Sequence, residues 1–496
     1  MTDDRRPVWA VPADVTSDPL PAACEDLVIG AGVVGLTTAV LLARAGRTVC
    51  VVEARYVGAG STGHSSAKVS LLQGTRLSTL AKDHPARVVQ AYVDANRAGF
   101  EWLVQFCETH DVRIERRTAA TFAASANQTS RARAEYVAAQ SLGLPVEWAD
   151  TLDLPFATYG ATTLAAQAQV DPGTMLAAEF RAHGGTLVEG ARVEHLSWFG
   201  PPRVRLADGR EIAAQSVVVA TGSPILDRSL AFSDLEPQRS YVVGYDLADP
   251  PQIMALSAGS PSVSLRDAVT PEGTPALLVG GFGHGVGRTP SEREHVEAIR
   301  AWTAEHFPGA REIAAWSAQD YTTAEGLPRY GRMPRGGDRI RFATGFAKWG
   351  FTNGTAAAIA ISRDILGERA PWPHDVVNSS SPLTSVRGKV VINAAVARET
   401  ISGFTRALTT TSPPTEPGEG TVRRDGPRIV AESRSESGTC RVQALCTHLG
   451  GVLRWNDQER SWDCPLHGSR FSAEGEVLNG PATKPLSRRD TDAPAD

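Results

Sequence analysis

The sequence predicts an α/β fold with an interleaved α+β region and a small all-β domain at its C-terminal end, and three observations predict it. A buried strand, a glycine turn, a helix and a second buried strand follow one another between residues 25 and 53. Two later runs, 213–224 and 338–367, read as further parts of the same sheet, with other strands between them. Near the C-terminus, a region of short strands and turns, 419–488, carries two Cys and two His at metal-ligand spacing. A chain of 496 residues is too long for one core, so several domains are expected.

The elements follow in order. EDLVIG (25–30) and TVCVVE (48–53) are apolar, β-branched runs of strand length, and VVGLTTAVLLARA (33–45) between them is a helix that stops at Gly46. From about 85 to 145 the pattern becomes helical and charged. AAQSVVVATGSP (213–224) is a strand ending in a glycine turn, and the 338–367 run is a strand, a glycine-rich loop and a helix. The strands RSYVVGYDL and TPALLVGGFGHGVGR belong to the interleaved region, and Ser291 and Glu294 are spaced as a capping box for the helix after them. Composition turns to Pro, Ser, Thr and Gly between 368 and 418, which reads as a connector around one helix. These readings give an N-terminal extension (1–22), a two-part region (23–367), the connector (368–418), the small domain (419–488) and a tail (489–496). Within the second, 23–84, 160–232 and 319–367 form the nucleotide sheet, and 85–159 with 233–318 form the interleaved region.

A net charge of −5 gives no basic footprint for nucleic acid, and no apolar run approaches the roughly 20 residues that span a bilayer. The N-terminus has two arginines without a following apolar stretch, which predicts a cytoplasmic chain. Cys24, Cys50 and Cys107 sit in apolar surroundings and read as buried free thiols.

Gly30-Ala31-Gly32-Val33-Val34-Gly35 fits G-x-G-x-x-G after a strand and opening a helix, the context in which it binds a dinucleotide. Gly30 allows the turn, Gly32 lets the backbone approach a pyrophosphate, and Gly35 lets helix and strand pack closely. Glu53, ending the second strand, is placed to accept hydrogen bonds from ribose hydroxyls. The run VGGFGHGVGR has the wrong spacing for a second such turn, so a bound nicotinamide is not expected.

Cys446-x-His448 is followed after 15 residues by Cys464-x-x-His467. Two Cys and two His also make a zinc set, but zinc fingers pair Cys with Cys and then His with His. Here each half contributes one of each, the arrangement in which two Cys hold one iron of a [2Fe–2S] cluster and two His the other. No two of the 11 histidines are five residues apart, so the D-x-x-H-x4-H site of a Rieske oxygenase is absent.

CTHLGG, CPLHGSRF and GEVLNGPA resemble Rieske domains. Quinol-oxidising members carry an extra, disulfide-linked Cys after each ligand pair, where this chain has Gly451 and Leu466, which implies an intermediate or low potential. VVVATG, ATGFAKWGFTNG, VEARYVGAGSTGHSSAKVS and WSAQDYTTAEGLPRYG resemble the D-amino-acid oxidase and glycine oxidase superfamily. The whole chain resembles the bacterial oxidoreductases in which these two parts are fused. That resemblance implies a Rossmann-like FAD domain with an interleaved α+β substrate domain. It also implies FAD contacts from Gly30, Gly32, Val34, Gly35, Glu53, Ala54, Arg55, Ser61, Thr62, His64, Val193, Ala220, Thr221, Gly222, Gly345, Lys348, Gly350 and Thr352. His64 matches the histidine that carries covalent flavin in the dimethylglycine dehydrogenase group; the other reading is a loop histidine near the ring. Candidate catalytic residues are His284, Asp320, Tyr321 and Lys348.

The expected activity is oxidation of an amine or amino-acid-like small molecule, with electrons passing from flavin to the cluster and on to an external carrier, a ferredoxin or a quinone-linked protein. Two other readings stay open: the reverse flow, from an external reductant through the cluster to the flavin, and a cluster that serves as a redox sensor or docking module.

Overall fold

The computed structural model describes residues 7–9, 17–170, 175–197, 200–225, 231–260, 262–373 and 382–489. The remainder of the N-terminal extension, stretch 374–381 of the connector and tail residues 490–496 lie outside them. The first sheet has eight strands, with Arg329–Arg332, Ile340–Thr344, Glu211–Val219, Ala23–Ile29, Val49–Val52 and Thr186–Val188 in that order across it. The inner pairings are parallel, and both runs read as returning to the sheet do so: Glu211–Val219 lies beside Ala23–Ile29, and Ile340–Thr344 beside Glu211–Val219. Parallel strands are covered on both faces, which is why they read as unbroken apolar runs. Leu27, Val28, Val51, Val217 and Val218 are fully buried.

Helices Val33–Arg44, Ala86–Thr109 and Gly350–Ile365 share one apolar core with this sheet. The last two approach most closely at Gly99, where a Cβ would strike the Thr352 carbonyl. The second sheet has nine strands, antiparallel in all but one pairing, and it takes in Lys68–Val69, Ala161–Val170 and the end of Arg311–Thr323, from stretches expected in the nucleotide sheet, because these strands pair with the interleaved ones and not with Ala23–Ile29 or its neighbours. Helix Arg293–His306 packs on it through Val296 and Ile299. Helix Pro382–Thr409 runs through the described part of the connector. No helix among the described residues is long and apolar enough to cross a membrane.

The C-terminal domain has a three-stranded sheet, Gly420–Asp425, Arg428–Ser435 and Gly438–Gln443. A four-stranded sheet follows, Arg454–Asn456, Ser461–Asp463, Arg470–Ser472 and Val477–Asn479. Trp462 and Phe471 fill a small core that also takes in Cys446 and Cys464. This domain is docked on the rest of the chain by polar contacts. Glu459 bridges Arg239 and Arg470, and Arg288 donates to the Pro465 carbonyl at 2.9 Å. Arg192 donates to the Val477 carbonyl at 2.9 Å.

Two local readings change meaning in this light. The N–H of Glu294 reaches Ser291 Oγ only at 3.4 Å; the turn is capped chiefly by Asp457 of the C-terminal domain, which accepts from Ser291 Oγ at 2.6 Å and from the N–H groups of Glu292 and Arg293 at 2.8 and 3.0 Å. In the glycine-rich run 279–288, Gly287 has φ +63° and a Cβ there would lie 3.1 Å from the Asp463 carbonyl. The run serves close approach between domains.

Candidate active site and cluster centre

A cavity of about 350 Å³ lies between the two large sheets. At one end stands the glycine turn. Gly30 has φ +107° and a Cβ on it would lie 2.6 Å from the Ala220 carbonyl, while a Cβ on Gly35 would strike Gly30 itself. Only glycines permit this packing. Glu53 holds the turn in shape, accepting from the N–H groups of Ala31 and Arg55 at 2.9 Å each. Thr62 Oγ1 accepts from Val33 N–H at 3.0 Å, which fastens the loop after the second strand to the helix start.

The cavity wall includes Gly30, Gly32, Val34, Glu53, Ala54, Arg55, Ser61, Thr62, His64, Val193, Ala220, Thr221, Gly222, Lys348 and Gly350 from the expected cofactor contacts. Gly35, Gly345 and Thr352 are not on it. Gly35 acts through helix packing, and Gly345 (φ +76°) lets the chain turn against Thr323. Thr352 is fully buried, accepts from Gln73 Nε2 at 3.1 Å and faces the contact with helix Ala86–Thr109.

Among the candidate catalytic residues, Asp320, Tyr321 and Lys348 line the cavity. The Asp320 carboxylate accepts from the Lys348 N–H and fixes a loop in which Ala347 and Lys348 both have positive φ, 50° and 73°. Burial pushes the Asp320 carboxyl up and the Lys348 ammonium down, the latter against the attraction of Asp320. His284 stands apart. Its Nδ1 donates to the Gly285 carbonyl at 2.9 Å, so Nε2 takes the Tyr241 hydroxyl at 3.1 Å, and burial pushes it to about 4.

His64 lines the cavity on a single helical turn, Ser61–His64. Nδ1 donates to the Gly60 carbonyl at 3.0 Å, which leaves Nε2 with its lone pair. Nε2 is therefore the atom through which the covalent attachment implied by resemblance would pass. Trp9, from the N-terminal extension, donates to the Gly63 carbonyl at 2.8 Å, and Trp316 to the His64 carbonyl at 3.0 Å. Two indoles thus hold the loop from behind, a role no local pattern announces.

The four cluster candidates come together as two pairs. Cys446 and Cys464 are close enough for the Cys464 thiol to hold Cys446 below the usual thiol range, at about 7, and the His448 and His467 rings lie 5.2 Å apart. Nδ1 of His467 is buried with no hydrogen-bond partner, as a nitrogen meant for iron would be. Burial, with His448 and Arg288 nearby, pushes His467 to about 4, so it is neutral and able to ligate. Among the described residues no three His, Cys, Asp or Glu gather as for a single ion. Separate Cys and His pairs suit a two-iron cluster better than one zinc. The positions that would carry the extra disulfide, Gly451 and Leu466, are neighbours in space: a Cβ on Gly451 would lie 2.7 Å from Leu466 Cδ1. Phe232, from the large domain, stands edge-on to both histidines at 4.9 Å.

The cavity and the cluster loop share a wall. Gln319 lines the cavity and donates from Nε2 to the carbonyl of Gly468, the residue after His467, at 2.7 Å, and to Tyr321 Oη at 2.8 Å. Tyr321 donates in turn to the Gly480 carbonyl at 3.2 Å. Leu478, Asn479, Gly480, Ala482 and Thr483 of the C-terminal domain complete the lining.

A dinucleotide cavity between a parallel and an antiparallel sheet, with a two-Cys, two-His centre against it, defines a flavin-dependent oxidoreductase joined to an iron–sulfur domain. The chain belongs to the FAD dependent oxidoreductase family, whose model matches residues 27–363, and carries a Rieske [2Fe-2S] domain matched over 416–489. It is 30% identical over 497 residues to YhfW of Bacillus subtilis (strain 168), named as a Rieske 2Fe-2S iron-sulfur protein, covering 98% of this chain and 97% of that one. Two solved structures are similar in fold. Glycine oxidase from Geobacillus kaustophilus has a TM-score of 0.60 at 17% identity, covering 71% of this chain and 97% of its own. L-proline dehydrogenase from P. horikoshii has a TM-score of 0.59 at 19% identity, covering 71% and 96%.

Proposed function

We propose that the protein oxidises an amine or amino-acid-like small molecule at a carbon bearing nitrogen and delivers the electrons, through its Rieske domain, to an external one-electron carrier such as a ferredoxin or a quinone-linked protein. The observation that carries this reading is the shared wall: Gln319 and Tyr321 face the cavity and also bond the Rieske domain, Gln319 at the carbonyl of Gly468, next to His467, and Tyr321 at the carbonyl of Gly480. Bound FAD supplies two-electron oxidation and the cluster one-electron transfer.

The residues of the chain do the positioning. Asp320 fixes the backbone of Lys348, and Tyr321, pushed upward by burial, stays protonated and anchors the Rieske segment. Lys348, whose ammonium is disfavoured by burial, is a group on this wall suited to take the proton from an ammonium substrate. The test is an anaerobic screen of amines and amino acids against the holoprotein, read by flavin bleaching. Bleaching by an amine supports the reading; reduction only by a donor protein would reverse the direction of flow.

A further inference from the structure

Helix Pro382–Thr409 lies along the outside of both redox domains, and its inner face is docked on each of them. A Cβ on Gly388 would strike the Ala324 carbonyl of the flavin domain, and one on Gly403 would lie 3.2 Å from Val452 of the Rieske domain. Ile392 and Ala407 on the same side are buried. Lys389 pairs with Asp234 at 3.3 Å, and Asn393 donates to the Ser233 carbonyl at 3.3 Å.

The outer face is apolar. Ten large hydrophobic side chains are exposed among the described residues, and five of them stand on this helix: Val390, Val391, Ile401, Phe404 and Leu408. Four of these, with the exposed Ala394 and Ala397, complete a stripe at 390, 394, 397, 401, 404 and 408. Its alternating steps of four and three residues are the heptad spacing of a coiled-coil seam, kept up over about 27 Å of helix. So narrow a stripe is unlike the broad apolar face with which a helix lies on lipid. The five large side chains expose roughly 500 Å², well over half of the ~800 Å² that each partner buries in a stable interface.

The order of sizes along the stripe fits it to itself. Val390 and Ile401 lie equally far from the midpoint between Ala395 and Val396, and so do Ala394 and Ala397. A second copy turned end for end therefore sets Val390 against Ile401 and Ala394 against Ala397. Large side chains meet at the ends, and the alanine layers let the two axes approach to about 8 Å. Opposed helix dipoles favour that orientation. A parallel pair would gather Ile401, Phe404 and Leu408 at one end and splay. Beside the antiparallel seam, Val391 of one copy lies across from Arg398 of the other, whose 84% exposed side chain offers an alkyl stem, so no like charges meet there.

We propose that this outer face is the seam of a homodimer, in which the helices Pro382–Thr409 of two copies pack antiparallel. Each helix, already docked on both of its own redox domains, is then covered by the other. The dimer stands apart from the amine-oxidising reading and does not depend on it.

The test measures the particle mass of the FAD- and cluster-loaded protein at micromolar concentration, by sedimentation and by light scattering. Two chains per particle are expected. Val390→Glu and Ile401→Lys each place a charge at both ends of the seam, and each should raise the dimer dissociation constant at least about a hundredfold with flavin and cluster contents unchanged. An equimolar mixture of the two variants should dimerise again, because the antiparallel register sets the carboxylate of one against the ammonium of the other. A wild-type particle of one chain would overturn the proposal, whether or not that monomer binds lipid vesicles or another protein. A dimer that survives either single variant, or a mixture that stays monomeric, would also overturn it. The wild-type mass decides the matter even where a variant fails to load its cofactors.

Discussion

Replacing Glu459 by Gln probes the contact that holds the two redox domains together. Its carboxylate lies between Arg239 of the large sheet and Arg470 of the Rieske domain, whose side chains are 5% and 6% exposed, and it also accepts from Ser317. Burial alone would raise Glu459, yet the two guanidiniums outweigh it and hold the carboxyl at about 2. Glutamine keeps the shape but leaves two buried cations facing each other without the anion. Breaking a buried pair in this way costs about 3 to 5 kcal/mol, a factor of roughly 10² to 4 × 10³ in the docking equilibrium. The assay is the rate at which the reduced-cluster EPR signal appears after flavin is photoreduced, together with limited proteolysis of the connector. Slower transfer and faster cleavage are expected. The same charge gives a pH dependence of known sign. A carboxyl held below its unfolded value stabilises docking above the unfolded value of about 4.5, and that stability is lost as the pH falls from there toward 2. Wild-type transfer and proteolysis rates in Glu459→Gln would refute the argument that this triad fastens the domains.

Gly468→Ala should act in the same direction: Gly468 has φ +79°, and a Cβ there would lie 2.8 Å from Gln319 Nε2, so flavin-to-cluster transfer falls while flavin content is kept. Gly35→Ala places a methyl group against the Gly30 carbonyl and should be isolated with little FAD, read by absorbance. Asp457→Ala removes the cap of helix Arg293–His306 and should cost about 1 kcal/mol, measured by denaturant unfolding. With Gly451 and Leu466 where a disulfide would stand, a redox titration should place the cluster below the top of the range of about −150 to +300 mV. A value near +300 mV would contradict that.

What was legible in the sequence has a local physical cause. The glycine turn, the apolar strands and the ligand spacing each follow from short stretches whose chemistry is complete in themselves. Interdomain contacts have no such stretch. Arg239 and Glu459 are 220 positions apart in sequence, and nothing near either one signals the other. The segment Leu478–Thr483 reads as part of a Rieske domain and gives no hint that it walls a flavin cavity. The Ser291–Glu294 spacing signals a local cap, whereas the group that caps the turn, Asp457, lies in another domain. Resemblance places Thr352 near the flavin, but the close approach of two helices at Gly99 turns it into the core. A lone lysine such as Lys68 signals nothing in sequence, because its burial is set by strands far from it in the chain.

Rapid anaerobic mixing of the FAD- and cluster-loaded protein with an oxidisable amino acid, followed by freeze-quench EPR, tests the central claim most directly. Flavin bleaching followed at once by the reduced Rieske signal, without any added protein, is the predicted result. Bleached flavin beside a cluster that stays oxidised, at a cluster potential above that of the flavin, would contradict it.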